Sequence, residues 1–477
     1  MEMQETKVTE NCGLCIAHTL HDVYSFIKSL QHRGREAAGI AFIGDKGIDV
    51  IKWTGKVEMF DVEDLYKIFP STKYHTYMAH VRYATRGRKD KILEDAHPHT
   101  IGGKEERRGN HIIIRDCEVV GVHNGQVNQS FLQEVDKTKL KTECDTEALL
   151  HYFKEFGERG IIKKIPGSYT LAIASRDRKE VMVLRDRTGI KPGVLGWKDG
   201  KYCVSSEDCF FMNKGVVFAE NLNPGSIYYL SPEGGFRKEE VLLPELRHCF
   251  FEYNYIAHVD SFMNGVLVRR TRELLGEELA KEFPLNADIV TFLPRCPEVA
   301  ARVYAEKIGL PFENIFYKPR SERAFLGSTI EERKNSIKEN LYLMPLINGI
   351  NSEDFLRGKT IIIVDDSTIR GNNSKRAIEI LSQIRVGKIY LVNYTPKIGL
   401  IGNDGIKRGC LYGVDMPPDD NFIVRGENRN REDLEISQEI GAEVKFLSLN
   451  GLFNVFEKAG IKKENLCYFC LGGEKPF

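Results

Sequence analysis

The sequence lacks an excess of charge of either sign, because 68 lysine and arginine residues balance 68 aspartate and glutamate residues in a chain of 477. A neutral chain has no overall field that would favour nucleic acid or an anionic membrane. It also lacks any run approaching the roughly 18–20 apolar residues of a membrane-spanning helix, and residues 1–11 lack the apolar core of a secretion signal. These absences predict a cytoplasmic protein that binds neither nucleic acid nor membrane.

Two nucleotide-binding signatures are missing as well. No G-x-G-x-x-G segment occurs, so a dinucleotide-binding fold lacks its fingerprint. The "GKT" at 358–360 resembles the end of a P-loop, but Glu353 stands where that motif needs glycine, and the segment precedes a strand instead of following one. No internal repeat is present either.

What the sequence does have is eleven cysteines. Thiols stay reduced in the cytoplasm, so we expect core thiols, a nucleophile or metal ligands rather than a disulfide framework.

The pattern of predicted secondary structure changes about halfway along the chain. Short strand-like runs with Gly, Asp and Asn turns predict an α+β domain with antiparallel sheets in the first half, whereas amphipathic helices alternating with short apolar strands predict an α/β domain with a parallel sheet in the second. The predicted limits are a propeptide at 1–11, a first domain at 12–245, a junction at 246–263, a second domain at 264–450 and a tail at 451–477.

Cys12 opens the first apolar stretch, "NCGLC". If the preceding leader were removed, Cys12 would carry both a thiol and a free α-amine, and that amine, with a pKa of roughly 7.7–8.0, could act as general base for its own side chain. On its own, a Cys-Gly pair is more often part of a buried core.

Four later segments favour the interpretation of Cys12 as a nucleophile. They are "QHRGREAAGIAF" (31–42), "HVRYATRG" (80–87), "VHNGQV" (122–127) and "ECDTEAL" (143–149). In this order, with "NCGLC", they resemble the glutaminase domain of class II, N-terminal-nucleophile glutamine amidotransferases, in which the corresponding patterns are approximately Q-H-R-G-Q-E, H-x-R-Y-x-T-x-G, H-N-G and S-D-T-E. The resemblance implies an N-terminal-nucleophile hydrolase sandwich. Arg35 replaces the second glutamine of the first pattern.

The resemblance also implies roles for individual residues. Cys12 would attack the side-chain amide of glutamine, and Asn124 with the backbone of Gly125 would stabilise the oxyanion. The remaining glutamine-binding residues would be Arg82 for the α-carboxylate, Asp145 for the α-ammonium, and Thr85 and Arg33 lining the site, with Arg33 positioning the nucleophile. In isolation, Arg82 and Asp145 could instead be a structural ion pair, and Asn124-Gly125 a hairpin turn.

A second motif follows a buried strand. Four apolar residues, 361–364, precede Asp365 and Asp366, then a small polar loop and a helix. This places two carboxylates at the carboxyl end of a parallel strand, where open α/β sheets bind ligands and where loop N–H groups can cradle an anion. The alternative is that the two acids lie in a solvent-exposed turn without a binding role.

The same stretch resembles the phosphoribosyltransferase motif, roughly V-D-D-S-I-V-R-G-T-T-S. The resemblance implies that Asp365 and Asp366 bind the ribose hydroxyls of phosphoribosyl pyrophosphate together with Mg²⁺. It further implies a phosphate-binding loop of Ser367, Arg370, Gly371, Asn372, Asn373 and Ser374. The charged segment 318–341 would be a mobile lid contributing Arg323.

Four other cysteines are Cys249, Cys410, Cys467 and Cys470. Spacing alone leaves zinc, an iron–sulfur cluster and core thiols open. Their sequence contexts resemble those of a [4Fe-4S] cluster found in some amidophosphoribosyltransferases, which implies that a cluster pins the tail to the junction.

The two halves together resemble the amidophosphoribosyltransferase family. This implies an enzyme that releases ammonia from glutamine and passes it internally to phosphoribosyl pyrophosphate, giving 5-phosphoribosylamine in the first step of purine synthesis; it also implies a homo-oligomer with purine nucleotides as feedback inhibitors. The segment "LPRCPE" (293–298) departs from the family's V-P-D-S-G loop. Two alternatives therefore stay open: a paralogue with glutaminase activity and a regulatory or altered-acceptor second domain, and a non-catalytic iron–sulfur interaction protein.

Overall fold

The computed structural model describes residues 12–70, 74–83, 91–127, 135–318, 341–410, 412–414, 416–419 and 421–477. In the described parts of the chain, no helix has the length and apolar character needed to cross a lipid bilayer.

The first half forms one antiparallel sheet that folds over on itself. Its strands run in the order β11-β9-β10-β1-β4-β2-β3-β6-β7-β8-β12-β13, with β5 paired to β6. Their bounds are β1 (Gly13–Ala17), β2 (Ala37–Gly44), β3 (Gly47–Thr54), β4 (Thr76–Arg82), β5 (His99–Arg108), β6 (His111–Val127), β7 (Gly167–Ser175), β8 (Val181–Arg185), β9 (Val194–Lys198), β10 (Lys201–Ser205), β11 (Val217–Asn221), β12 (Ser226–Leu230) and β13 (Phe236–Glu240).

Alternating side chains show how this sheet is layered. In β1, Leu14 and Ile16 face a core shared with Val120 and Ala172 of the other sheet layer, whereas Cys15 and Ala17 face a core shared with helix α1 (Leu20–Ser29). Successive side chains of a strand point to opposite faces, so each layer is buried on both sides. A third core packs helix α3 (Asp145–Lys164) on the outer face of β6 to β8. With α2 (Val62–Ile68) beside α1, the order is helix, sheet, sheet, helix.

The second half has a parallel sheet in the order β17-β22-β23-β24. Its strands and the short paired ones are β14 (His248–Cys249), β15 (Phe262–Met263), β16 (Val266–Leu267), β17 (Ile289–Phe292), β18 (Phe316–Tyr317), β19 (Tyr342–Leu343), β20 (Leu346–Ile347), β21 (Ile350–Asn351), β22 (Ile361–Asp365), β23 (Ile389–Asn393), β24 (Glu443–Phe446) and β25 (Leu466–Cys467). The helices are α4 (Val268–Glu282), α5 (Glu298–Ile308), α6 (Ser352–Leu356), α7 (Asn372–Gln383), α8 (Asp433–Ile440) and α9 (Leu449–Ala459).

One core joins the junction, the parallel sheet and the tail. It contains Phe250 and Phe251 of the junction, Ile362 of β22 and Phe456 of α9, and Ile190 of the first domain packs into it. The predicted limit at 450 lies within α9. The tail therefore packs as part of the second domain.

Candidate functional site

Cys12 directly precedes β1, which lies between β4 and β10 inside the sandwich. The residue is half-buried, and its Sγ is 4.0 Å from the carbonyl oxygen of Tyr83. Burial raises the pKa of the Cys12 thiol, and the nearby cations Arg82, Lys191 and Arg33 act in the opposite direction. A thiol with a raised pKa needs a base beside it to become a nucleophile.

Arg33 fixes the backbone of Cys12. Its Nε donates to the Cys12 carbonyl oxygen at 3.0 Å, and its two terminal nitrogens donate to both carboxylate oxygens of Glu252 at 3.1 and 3.0 Å. A second ion pair joins it to Glu207. Burial alone would lower the pKa of Arg33, but the two carboxylates raise it above its usual value.

The predicted oxyanion donors lie inside β6, where Asn124 and Gly125 pair with Thr170 and Tyr169 of β7. The hairpin-turn alternative is therefore wrong. Gly125 has φ +151°, and a Cβ there would lie 2.0 Å from the Ser168 carbonyl oxygen, so only glycine fits.

Asn124 is fully buried and is linked by hydrogen bonds to β1, the strand that follows Cys12. Its Nδ2 donates to Ser206 Oγ at 3.5 Å, and the same hydroxyl accepts from Leu14 N at 3.0 Å. Within the described part of the chain, no hydrogen-bond partner lies within reach of Asn124 Oδ1.

The two predicted glutamine-binding charges have separate partners. Arg82, at the end of β4, forms an ion pair with Asp95 at 3.6 Å. Asp145, the first residue of α3, accepts from Val127 N at 3.1 Å and lies 3.5 Å from His123 Nδ1. Burial opposes its ionisation, but these contacts lower the pKa of Asp145 below its usual value. Thr85 lies outside the described residues.

Three charged residues at the domain junction were missed by the sequence reasoning: Lys191, Glu207 and Glu252. Lys191 donates to the Gly413 carbonyl oxygen and lies 3.6 Å from Glu252, while Glu207 accepts from His258 N at 2.8 Å. All three are buried. For Glu252 the sequence offered one signal, its position as a lone acid within the aromatic run "HCFFEYNY". Lys191 and Glu207 are single charges outside any recognisable pattern.

In the second domain, Asp365 ends β22 and Asp366 follows it. Asp366 N donates to Asp365 Oδ1 at 2.9 Å, and Ser367 Oγ donates to Asp366 Oδ2 at 2.8 Å. Burial and the neighbouring carboxylate raise the pKa of Asp365 well above its usual value, and burial raises the pKa of Asp366 to about 6.

The loop after the acid pair leads into α7. Gly371 has φ +78°, and a Cβ there would lie 2.6 Å from Ile440 Cδ1, so its backbone is confined against α8. Ser374 is buried, whereas Asn372 and Asn373 are exposed on the first turn of α7, whose N–H groups lack intrahelical partners. Arg370 is partly buried in the same loop; Arg323 and 319–340 lie outside the described residues.

The divergent segment 293–298 borders the same crevice. Cys296 Sγ lies 3.2 Å from the Asn254 carbonyl oxygen and 3.5 Å from that of Tyr255, while Arg295 is exposed. Burial raises the pKa of Cys296 to about 11, with Asp366 and Asp365 adding to the effect. The loop thus faces both the acid pair and the junction.

The structure brings the four remaining predicted cysteines near each other from three segments. Cys249 and Cys467 are register partners in the β14–β25 pair, Cys410 Sγ accepts from Gly413 N at 3.4 Å, and Cys410, Cys467 and Cys249 add to the effect of burial in raising the pKa of Cys470. Among the described residues, no three of these sulfurs lie within 4.8 Å of one another.

The sandwich and the acid-pair loop define a glutamine amidotransferase joined to a phosphoribosyltransferase, and a family model described as a glutamine amidotransferase domain matches residues 106–231. The chain is 30% identical to the amidophosphoribosyltransferase of Methanothermobacter thermautotrophicus over 99% of its own length and 96% of that protein. It is 28% identical to the Bacillus subtilis amidophosphoribosyltransferase over 95% of its length and 90% of that protein.

A solved structure of the B. subtilis glutamine phosphoribosylpyrophosphate amidotransferase, complexed with ADP and GMP, matches with a TM-score of 0.78 and 26% identity over 98% of this chain and 97% of that one. The chain belongs to the amidophosphoribosyltransferase family. Its activity is the transfer of the amide nitrogen of glutamine to phosphoribosyl pyrophosphate, the first step of purine synthesis. The predicted fold class and function are thereby confirmed.

Proposed function

We propose that Cys12 becomes the amino-terminal residue after loss of residues 1–11 and is the glutaminase nucleophile. Its α-amine takes the thiol proton, the thiolate attacks the amide carbon of glutamine, and ammonia leaves after receiving that proton. Water then hydrolyses the thioester to glutamate. The hydrogen bond from Arg33 to the Cys12 carbonyl oxygen would hold the nucleophile's backbone during these steps.

The oxyanion would be stabilised by Asn124 Nδ2 and the N–H of Gly125. The burial of Asn124 supports this role, because a donor fixed in a water-excluded site stabilises a developing charge more strongly than one in water, and its contact to Ser206 at 3.5 Å holds it beside the strand that follows Cys12. Arg82 would bind the α-carboxylate of glutamine, Asp145 its α-ammonium, and Thr85 would line the site. The lowered pKa of Asp145 keeps it charged for that contact.

Asp365 and Asp366 would bind the ribose hydroxyls of phosphoribosyl pyrophosphate, and the loop from Ser367 through Arg370 to Ser374 its 5′-phosphate. Two adjacent buried carboxylates with raised pKa values are unfavourable as two anions, so the pair fits a hard dication such as Mg²⁺. When bound, Mg²⁺ would neutralise charge on the substrate's pyrophosphate. Arg323 would contribute from the segment outside the described residues.

The four cysteines Cys249, Cys410, Cys467 and Cys470 would hold a [4Fe-4S] cluster. Their wide spacing favours it over zinc, because four sulfurs at about 2.3 Å from one ion must lie only about 3.8 Å apart. The cluster's role would be structural, since Cys249 and Cys467 already join the junction to the tail.

One observation supports coupling of the two half-reactions inside the protein. The π-helical turn Glu252–Ile256 touches both sites: Glu252 pairs with Arg33 behind Cys12, and the carbonyl oxygens of Asn254 and Tyr255 meet Cys296 beside the acid pair. Ammonia that stays inside the protein keeps its lone pair, which it would lose by protonation in water.

We further propose cytoplasmic location, homo-oligomerisation and inhibition by purine nucleotides, the last because the B. subtilis relative is described with ADP and GMP bound.

The test is an assay of both half-reactions on anaerobically purified protein. We expect glutamate and 5-phosphoribosylamine in equal amounts, glutaminase stimulated by phosphoribosyl pyrophosphate, and a mature chain that begins at Cys12 by mass spectrometry. Cys12→Ala should lose glutamine-dependent activity but keep synthesis from added ammonia. Glutamate release without matching phosphoribosylamine would overturn the proposed coupling of the two sites.

A further inference from the structure

Three side chains beside the glutamine site have no role in the reaction described above: His97, His99 and Cys144. One ligand atom from each lies within 4.8 Å of the other two, and within the described ranges of the chain this is the single group of three or more histidine, cysteine or acidic side chains set so closely. His97 and His99 are 5% and 3% exposed, and Cys144 is partly buried. Cys144 occupies the serine position of the S-D-T-E pattern.

The hydrogen bonds of the two rings leave one nitrogen of each for a ligand. His97 Nε2 lies 2.8 Å from Thr146 Oγ1, and no described residue offers a hydrogen-bond partner to His97 Nδ1, which is buried. His99 Nε2 lies 3.2 Å from the carbonyl oxygen of Asp95, which can only accept, so His99 is protonated on Nε2 and its Nδ1 carries the lone pair. Metal-binding histidines are held in this way, with the outer N–H donated to an oxygen.

The protonation of the group also suits a metal. Burial lowers the pKa of both His97 and His99 well below the usual value. Burial and Asp145 raise the pKa of the Cys144 thiol to about 12. A divalent ion displaces such a thiol proton, as it does when cysteine ligands bind zinc. The carboxylates of Asp95 and Asp145 offset the nearby charges of Arg82 and Lys52.

We propose that His97, His99 and Cys144 bind one Zn²⁺ ion, with water in the fourth position. Imidazole and thiolate ligands favour zinc over magnesium or calcium, which prefer oxygen ligands. The ion would join the start of β5 to the residue before α3, and it would thereby hold Asp145, the next residue, in place for glutamine. Its role is positioning, and this part rests on the proposed role of Asp145.

The direct test counts metals. Protein purified anaerobically without chelators is analysed for zinc and iron, and we expect one zinc per chain in addition to iron. Cys144→Ser and His99→Gln should each lose the zinc and keep the iron, whereas Cys203→Ser, a buried cysteine of β10, is the matched control and should keep both. Cys467→Ser should lose iron and keep zinc.

A second measurement covers variants that fail to fold. Cobalt(II) added to the metal-stripped Cys467→Ser variant should give the absorption of a single thiolate–cobalt bond at one equivalent. Adding Cys144→Ser to that variant should weaken cobalt binding at least about 10-fold. Zinc removal should raise KM for glutamine several-fold and leave ammonia-dependent synthesis unchanged. Zinc retained in Cys144→Ser but lost in Cys467→Ser would assign the metal to the other cysteines and overturn the proposal, as would the absence of stoichiometric zinc and cobalt binding. A zinc site with unchanged KM would instead reject the role of Asp145.

Discussion

Replacing Glu252 with glutamine tests the buried ion-pair network of Arg33, Lys191, Glu207 and Glu252 behind Cys12. Glu252 is 2% exposed, accepts two hydrogen bonds from Arg33 and lies 3.6 Å from Lys191. The change leaves two buried cations with Glu207 as the remaining acid of the network, and removing one partner of a buried ion pair costs about 3–5 kcal/mol. The amide also presents an N–H where Arg33 or Lys191 needs an acceptor.

The measurement is urea unfolding followed by fluorescence. The free energy of unfolding of Glu252→Gln is compared with that of the wild-type protein, and we expect it to be lower by the amount given above. Glu273→Gln is the matched control, because Glu273 pairs with Arg270 on the exposed surface of α4, where such pairs contribute about 0–1 kcal/mol. In addition, a loosened Arg33 should let glutamine hydrolysis proceed without matching synthesis, so the ratio of glutamate to 5-phosphoribosylamine should rise above one. Equal unfolding of Glu252→Gln and Glu273→Gln, with a ratio of one in both, would refute this account of the network.

Three further outcomes are expected. Gly125→Ala should abolish glutaminase activity and leave ammonia-dependent synthesis measurable, because the added Cβ collides with the Ser168 carbonyl oxygen; normal glutamine turnover would contradict the strand geometry. Burial opposes the ionisation of Glu207, but His32 and Arg33 hold its pKa well below 4.5, so its contribution to stability is complete above that value and is lost as pH falls through the folded pKa. Below about pH 4.5, the free energy of unfolding of Glu207→Gln should therefore fall less steeply with decreasing pH than that of the wild-type protein. Parallel plots of this free energy against pH for the two proteins would exclude the linkage. Asp366→Asn should remove both glutamine- and ammonia-dependent synthesis while basal glutaminase persists, and measurable synthesis would show that Asp366 is dispensable.

The sequence predicts most clearly those secondary-structure elements that are determined by residues close together in the chain. The apolar run 361–364 followed by two acids predicts a buried strand that ends at a crevice, and the structure has β22 at Ile361–Asp365. The alternation of texture likewise predicts an antiparallel and a parallel sheet. The order of the layers is not predictable from periodicity, because β1 pairs with β4 and β10, strands far apart in the chain.

The site shows the same division. The ordered motifs indicate Cys12 and Asp145, whereas the short-range preference of Asn-Gly for turns gave a hairpin alternative that the long strand β6 excludes. Glu207 could not be found, and Glu252 stood out only as a lone acid in an aromatic run, since a buried charge is recognisable only from its partner and Arg33 is 174 and 219 residues away from them. Thr85 and Arg323 stay predictions because they lie outside the described residues.

The junction network is better explained by coupling than by stability. Packed apolar side chains of the same volume would stabilise such a junction at least as well as buried ion pairs, whose desolvation offsets much of their attraction. Ion pairs differ from apolar contacts in being directional, so that a shift of one partner must move the other or leave a charge unpaired. The Cys12 carbonyl, Arg33 and Glu252 form one such chain, and Glu252 begins the turn whose carbonyl oxygens meet Cys296. A change in the second site that moves this turn would therefore reach the backbone of Cys12. If Cys12 is the proposed nucleophile, such a link would allow ammonia to be released only when its acceptor is bound.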